Sequence, residues 1–173
     1  MLALRDMRAE DLALVARWLA EPHVARWYLA GSSVDREIDD LRLSVTGAQP
    51  VHVLLVLEDE TVIGWCQWYR CDIDPQWAAD IGAGPGDLGI DYAIGEPARV
   101  GRGLGTTLVA ALVRRARAEH PDAALMSDPD ARNVASRRVL EKNNFQLTAV
   151  KSIASEPTDD PMAIYRLPAD PAL

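Results

Sequence analysis

Residues 97–106 read Pro-Ala-Arg-Val-Gly-Arg-Gly-Leu-Gly-Thr, which puts Gly101, Gly103 and Gly105 at alternate positions. Just before them, Leu88 to Ile94 reads as a central strand. Just after them, residues 104–119 carry Leu104, Leu108, Ala111, Leu112 and Arg115 at helical spacing. A strand, a glycine-rich turn and a long helix in succession commit the chain to an α/β architecture. Glycines let a backbone approach a ligand closely, and the first amides of a helix have no internal partners. Together with the positive end of the helix they form a ready anion site. No Gly-Lys-Ser/Thr follows, so the turn is not a Walker loop, and the hairpin preceding it argues against a Rossmann turn. On spacing alone, an ordinary glycine loop at a helix start remains an open reading.

The rest of the chain supplies a sheet around that unit. Residues 2–5 read as an opening strand and 9–20 as a helix, with Leu12, Val15 and Leu19 on one stripe. Residues 22–28 form an aromatic-rich segment read as a loop, and 34–45 a second helix turning Ile38, Leu41 and Val45 inward. Strands at 51–57 and 62–71 flank the acidic turn Glu58-Asp59-Glu60, an antiparallel hairpin. A long Pro/Gly break runs from 72 to 86, a length that is usually functional or disordered inside a domain. A short strand at 123–126, a helix at 133–142 and strands at 145–153 and 162–167 complete the pattern. The expectation is one domain over 1–173, with a mixed, mostly antiparallel central sheet flanked by about four helices.

Charge narrows the function. Lys and Arg total 18 against 26 Asp and Glu, a net charge of −8. Nucleic-acid binding draws most of its affinity from neutralising phosphates and wants a basic footprint, so that class is disfavoured. An acidic surface attracts cationic partners. No apolar run approaches the ~18 residues of a membrane span. Arg5 and Asp6 stand where a signal peptide has its apolar stretch, so the expected location is the cytoplasm. Cys66 and Cys71 fall on opposite faces of one strand, and His23, His52 and His120 lack ligand spacing, so no metal site is expected.

From Ile94-Gly95-Glu96-Pro97 into Val100-Gly101-Arg102-Gly103-Leu104-Gly105, and again in Asn133 and Leu140-Glu141-Lys142-Asn143-Asn144-Phe145, the chain resembles the GNAT N-acetyltransferase superfamily. The element order fits over most of the chain. The resemblance implies that backbone amides from Val100, Gly101, Arg102, Gly103, Leu104, Gly105 and Thr106 grip the pyrophosphate of acetyl-CoA, the cosubstrate. It further implies splayed central strands, with pantetheine pairing to the strand edge at Ala93 and Ile94 and touching Asn133. Three positions depart from the pattern. Val100 stands where the family usually has Arg or Gln, a contact that Arg99 or Arg102 is free to replace. Asn144 replaces a Gly, and Leu140 stands where many members carry a Tyr that protonates the departing thiolate. A thiol with a pKa near 8.5 still leaves tolerably without that acid.

Within the superfamily the likeness is to aminoglycoside 6′-N-acetyltransferases. It is carried by Trp18-Leu19, His23-Val24, Trp27-Tyr28, Gly64, Gln67, Tyr69, Trp77, Gly89-Ile90-Asp91 and Ser127-Asp128-Pro129. The subgroup borders siderophore acyltransferases that act on hydroxylysine. The implied substrate is a primary amine of a cationic small molecule, with the 6′-amine of an aminoglycoside and antibiotic resistance as the specific expectation, in a monomer or homodimer.

The residues agree with that chemistry. An amine is mostly protonated at neutral pH and only its free form attacks a thioester, so a carboxylate that holds the cation and accepts its proton is needed. Asp91 is the candidate base, because it shares a strand face with Gly89 and Ala93, whose small size leaves room for a substrate. A strand-end structural carboxylate is the rival reading for Asp91. Trp27, Tyr28 and Trp77, read in loops, are candidate stacking surfaces for a cationic sugar, with core packing as the rival. Gln67 joins the substrate set through the resemblance. Asp128 reads equally as a substrate contact and as a structural carboxylate. A non-catalytic acyl-CoA sensor and a drug-sequestering module are the alternatives from other classes.

Overall fold

A computed structural model describes residues 2–156 and 158–169. Seven strands form one sheet: β1 (Leu2–Asp6), β2 (Val51–Glu58), β3 (Thr61–Arg70), β4 (Leu88–Ile94), β5 (Leu125–Ser127), β6 (Gln146–Lys151) and β7 (Met162–Leu167). Their order is β1-β2-β3-β4-β5-β7-β6. Every neighbouring pair is antiparallel except β4 with β5. The expected mixed, mostly antiparallel sheet is therefore present. Six α-helices accompany it among the described residues: α1 (Leu12–Leu19), α2 (Pro22–Tyr28), α3 (Val34–Val45), α4 (Pro75–Ile81), α5 (Leu104–Glu119) and α6 (Val134–Lys142).

Two of those helices correct the sequence reading. The sequence reading places residues 22–28 and 75–81 in loops and so gives about four helices. Each is seven residues long and opens on a proline, whose fixed φ suits the first helical position. Asp74 caps α4, accepting from the Gln76 and Trp77 amides at 3.1 and 3.0 Å, and Gly82 ends it in the left-handed region at φ 72°. Such short helices show barely two turns of periodicity and are held by burial of Val24, Trp77 and Ile81.

The sheet separates two main cores. On one face α5 and α6 cover Leu54, Ile63, Cys66, Trp68, Leu88, Ile90, Leu125 and Tyr165. On the other, α1, α2 and α3 pack over Val53, Leu55 and Trp65. A smaller cluster seats α4 against Cys71, Met126 and Ile164. The alternation along β4 follows the sequence reading, with Leu88, Ile90, Tyr92 and Ile94 all turned to the α5–α6 face.

The centre of the sheet is forked. β4 and β5 pair only at Leu88↔Leu125 and Gly89↔Met126, whereas β3 stays with β4 as far as Gly64↔Ile94. Two devices draw β4 toward β3. The amides of Gly95 and Glu96 both donate to the Ile63 carbonyl, at 2.9 and 3.0 Å, which is a β-bulge. Gly64 permits a close backbone approach, since a Cβ there would lie 2.2 Å from the Ala93 carbonyl oxygen. The expected splay of the central strands is present, and it opens immediately before Asp91.

Candidate functional site

The fork leads into a cavity of about 400 Å³ whose walls come from α2, α3, α4, the two central strands and the start of α6. Asp91 projects into it from β4. Gln67, opposite it on β3, donates from Nε2 to Asp91 Oδ2 at 2.8 Å. Burial raises the Asp91 carboxyl above the usual range, and hydrogen bonds from Gln67 and Tyr69 pull it back part of the way. A carboxylate with a raised proton affinity is better matched to accepting an amine's proton near neutral pH.

The room beside Asp91 does not come from Gly89. A Cβ at Gly89 would lie 2.5 Å from the Tyr69 ring and 2.9 Å from Trp77, so those rings already fill the space. Ala93 likewise packs into the core beneath α1 and α2. The open volume lies between Asp91 and the facing walls from α2, α3 and Ser155, Glu156 and Met162.

Asp128 follows β5 on the same cavity, and Trp77 donates from Nε1 to its Oδ2 at 2.9 Å. Burial pushes the Asp128 carboxyl up to about 8, with Trp77 opposing the shift and the nearby charge of Asp91 adding to it. Glu37 on α3, held by the Ser32 hydroxyl at 2.6 Å, and Glu156 in the loop before β7 are also raised by burial. None of these four acids forms a salt bridge among the described residues, and no Lys or Arg lines the cavity. Asp130 differs: Arg132 pairs with it at 2.6 Å and lowers its carboxyl. The cavity is thus lined by four carboxyl groups that no ion pair neutralises, and burial favours their protonated forms.

That arrangement fixes the sign of a pH effect. Asp128 ionises in the unfolded chain near the ordinary value of 3.8 but stays protonated in the folded protein up to about 8. Its contribution to stability is complete below the lower value and is lost as pH rises through the higher one. Stability is therefore expected to fall between about pH 4 and pH 8, by at most about 1.4 kcal/mol per pH unit for one group, and the melting temperature with it. Calorimetry of Asp128→Asn should show a visibly flatter profile, and an unchanged slope would remove Asp128 as its source.

The aromatic candidates divide. Tyr28 lines the cavity from the end of α2, its buried hydroxyl has no hydrogen-bond partner, and desolvation holds its phenol well above the usual value. Trp27 also lines it, but Arg26 lies over its ring at 4.5 Å from the centroid. Trp77 is only 7% exposed and works through its N–H, so it orients Asp128 rather than offering an open stacking face. Neither Trp27 nor Trp77 sits in a loop, as the sequence suggested.

On the α5 side, Gly101 and Gly103 both adopt φ 78°, and Gly103 is the residue before the first turn of α5. No side chain caps that helix, so the Leu104 and Gly105 amides are presented toward an incoming anion. The expected Val100 and Thr106 amides are not, because they already donate to the Pro97 and Gly103 carbonyls at 3.2 and 3.1 Å. Val100 and Arg102 are exposed on the turn, and Thr106 follows in the first helical turn. Arg99 is not available as a replacement phosphate ligand, because it pairs with Glu58 at 2.6 Å. The β4 edge completes this side. Leu88 N–H reaches Ala124 at 2.9 Å on the β5 side, so by alternation the Ile90, Tyr92 and Ile94 amides point into the fork. Asn133 caps α6 by accepting from Ser136 N at 3.1 Å and lines the cavity where the fork opens.

Three residues of this region lie outside the site set expected from sequence. Glu37 sits on a strongly charged stretch of α3 that reads as a solvated face, and Glu156 lies in an unpatterned loop. His23 sits 3.0 Å from the Ile94 carbonyl oxygen through Nε2, tying α2 to the end of β4. The His23-Val24 pair was noted as part of a resemblance, but its partner lies 71 residues away.

The comparisons agree with this geometry. The family model for the GNAT acetyltransferase domain matches residues 7–152. Aminoglycoside N(6')-acetyltransferase type 1 from Klebsiella pneumoniae is 29% identical over 149 residues, covering 83% of this chain and 73% of that protein. Lysine N-acyltransferase MbtK from Mycobacterium tuberculosis is 28% identical over 176 residues, covering 96% and 77%. The crystal structure of aminoglycoside acetyltransferase AAC(6')-Ib in complex with coenzyme A and kanamycin superposes with a TM-score of 0.76 at 25% identity, covering 97% of this chain and 95% of that one. A forked sheet, an uncapped glycine turn and a family model spanning most of the sequence lead to one conclusion: the chain belongs to the GNAT acetyltransferase family.

Proposed function

We propose that the protein transfers the acetyl group of acetyl-CoA to a primary amine of a polycationic small molecule, specifically the 6′-amine of an aminoglycoside. The observation that carries this reading is the chamber containing Glu37, Asp91, Asp128 and Glu156 without a lining Lys or Arg. A hydroxylysine-type amino acid would bring a carboxylate of its own among those four acids, where like charges repel. An aminoglycoside brings several ammonium groups. An ammonium and a carboxylate 4 Å apart are worth up to about 4 kcal/mol at an effective dielectric of 20.

In this reading Asp91 holds the reacting ammonium and accepts its proton. Gln67 orients Asp91, Asp128 positioned by Trp77 receives a second ammonium, and Trp27 and Tyr28 frame the sugar. The glycine turn from Gly101 to Gly105 takes the pyrophosphate, and the β4 edge at Ile94, with Asn133, takes pantetheine; Ala93, expected to share that edge, turns its backbone to β3 by the same alternation. The fork supports that fit, because β5 leaves β4 after Gly89 and the Ile94 amide on that side has no strand partner.

CoA thiol release from acetyl-CoA tests the proposal, with kanamycin and tobramycin as acceptors and a simple diamine and hydroxylysine as controls. Fast release with the antibiotics alone, and acetylation mapped to the 6′-amine, is the expected result. Equal or faster release with hydroxylysine would transfer the reading to the siderophore class.

A further inference from the structure

Adjacent residues of β4 serve opposite sides of the fork. Asp91 faces the amine side. Tyr92 reaches across to the α6 wall, where its hydroxyl lies 2.7 Å from Ser136 Oγ and 3.2 Å from the Ser136 carbonyl oxygen. Tyr92, Ser136 and Asp91 all line one cavity. Its other two tyrosines stand elsewhere, Tyr28 with the α1–α3 core and Tyr69 with the α4 cluster. Tyr92 alone among these three packs with the α5–α6 side, where the glycine turn would deliver the thioester. One helical turn beyond Ser136 stands Leu140, fully buried and without a proton to offer.

We infer that Tyr92 donates a hydrogen bond to the departing CoA sulfur and stabilises it as a thiolate. This inference rests on the acetyl-transfer reading above. Burial raises the Tyr92 phenol above its ordinary value, so it keeps its proton while a thiol of pKa near 8.5 leaves. Donation without proton transfer is the role that order of acidities allows. Either hydroxyl can donate across the 2.7 Å contact; with Ser136 Oγ as the donor, the phenolic hydrogen is free to move from the Ser136 carbonyl to the sulfur. Ser136 also lies in the first turn of α6, whose positive end favours negative charge.

The step balances. The amine nitrogen forms a C–N bond to the acetyl carbon, and the C–S bond breaks with its electron pair on sulfur. The ammonium loses two protons in all, both passed through Asp91 to water. The thiolate takes one proton from water on release, so one proton appears per turnover.

The test is a titration of CoA bound to the whole protein, following thiolate absorbance near 240 nm, together with turnover. In the wild type the bound thiol is expected to ionise below its free value. In Tyr92→Phe that midpoint should rise by about one pH unit, and kcat with acetyl-CoA should fall roughly 10–100-fold, the range for losing a hydrogen bond to a charged group. Acetyl-CoA affinity should stay within about threefold. Ser136→Ala, which frees the phenol from its guide, should move the same midpoint in the same direction by less. An identical bound-thiol midpoint in wild type and Tyr92→Phe overturns the inference, whatever kcat does. If the wild type binds CoA but no amine releases it, the acetyl-transfer reading fails instead, while the titration still reports on Tyr92.

Discussion

Asp91→Asn is expected to lower kcat/KM for the amine by roughly 10²–10⁴, equivalent to about 2.7–5.4 kcal/mol of transition-state stabilisation. The substitution is nearly isosteric and leaves an oxygen for Gln67, now 2.8 Å away, to donate to. What it removes is the proposed proton acceptor and one ionisable carboxyl of the chamber. These losses separate in the kinetics, since the missing charge weakens ground-state binding of a polycation while the missing base lowers kcat. The pH dependence separates them again. Burial raises the Asp91 carboxyl, so wild-type activity should fall on the acid side as that group becomes protonated, and Asp91→Asn should lose that limb. Rates for a matched acceptor across about pH 5–9 supply the check. Near wild-type turnover in the variant would remove Asp91 as the base.

The sequence exposed this site unevenly, for physical reasons. The glycine turn and the strand before it were legible because left-handed backbone at Gly101 and Gly103, and a fully alternating β4, leave direct marks in residue type. Asp91 was legible for the same reason, as a charge on an otherwise apolar strand. The space around it was not. Gly89 promised an opening, but Tyr69 and Trp77 arrive from β3 and α4 to fill it, and no local pattern announces long-range packing. Glu37 illustrates the same limit, because an acid on a charged helix face reads as solvated until the fold buries it and raises its proton affinity. Asp128 was legible as a candidate, but its burial was not. Helix α2 was hidden by its length. Its proline start is a signal, yet seven residues with one buried position show no stripe.

Trp65→Ala is expected to cost about 3–5 kcal/mol, the usual range for truncating a buried tryptophan, against a total stability of about 5–15 kcal/mol. Trp65 is 1% exposed on β3 and holds two partners. Trp18 of α1 stacks on it at 6.1 Å between centroids and 5° between planes, and Tyr28 of α2 meets it at 5.1 Å and 55°. Those partners lead to the site. Tyr28 lines the cavity, and Trp18 occupies the space over Gly95, where a Cβ would lie 2.2 Å from its ring. Removing Trp65 should therefore loosen α2 and raise KM for the amine at temperatures where the variant is folded. Trp68→Ala is the matched control: equally buried, it lies on the opposite face with the α5–α6 core. It should lose comparable stability in denaturant melts while leaving KM for the amine within about twofold of wild type. Similar KM shifts in both variants would mean that general loosening, rather than the Trp65–Tyr28 contact, sets the shape of the amine chamber.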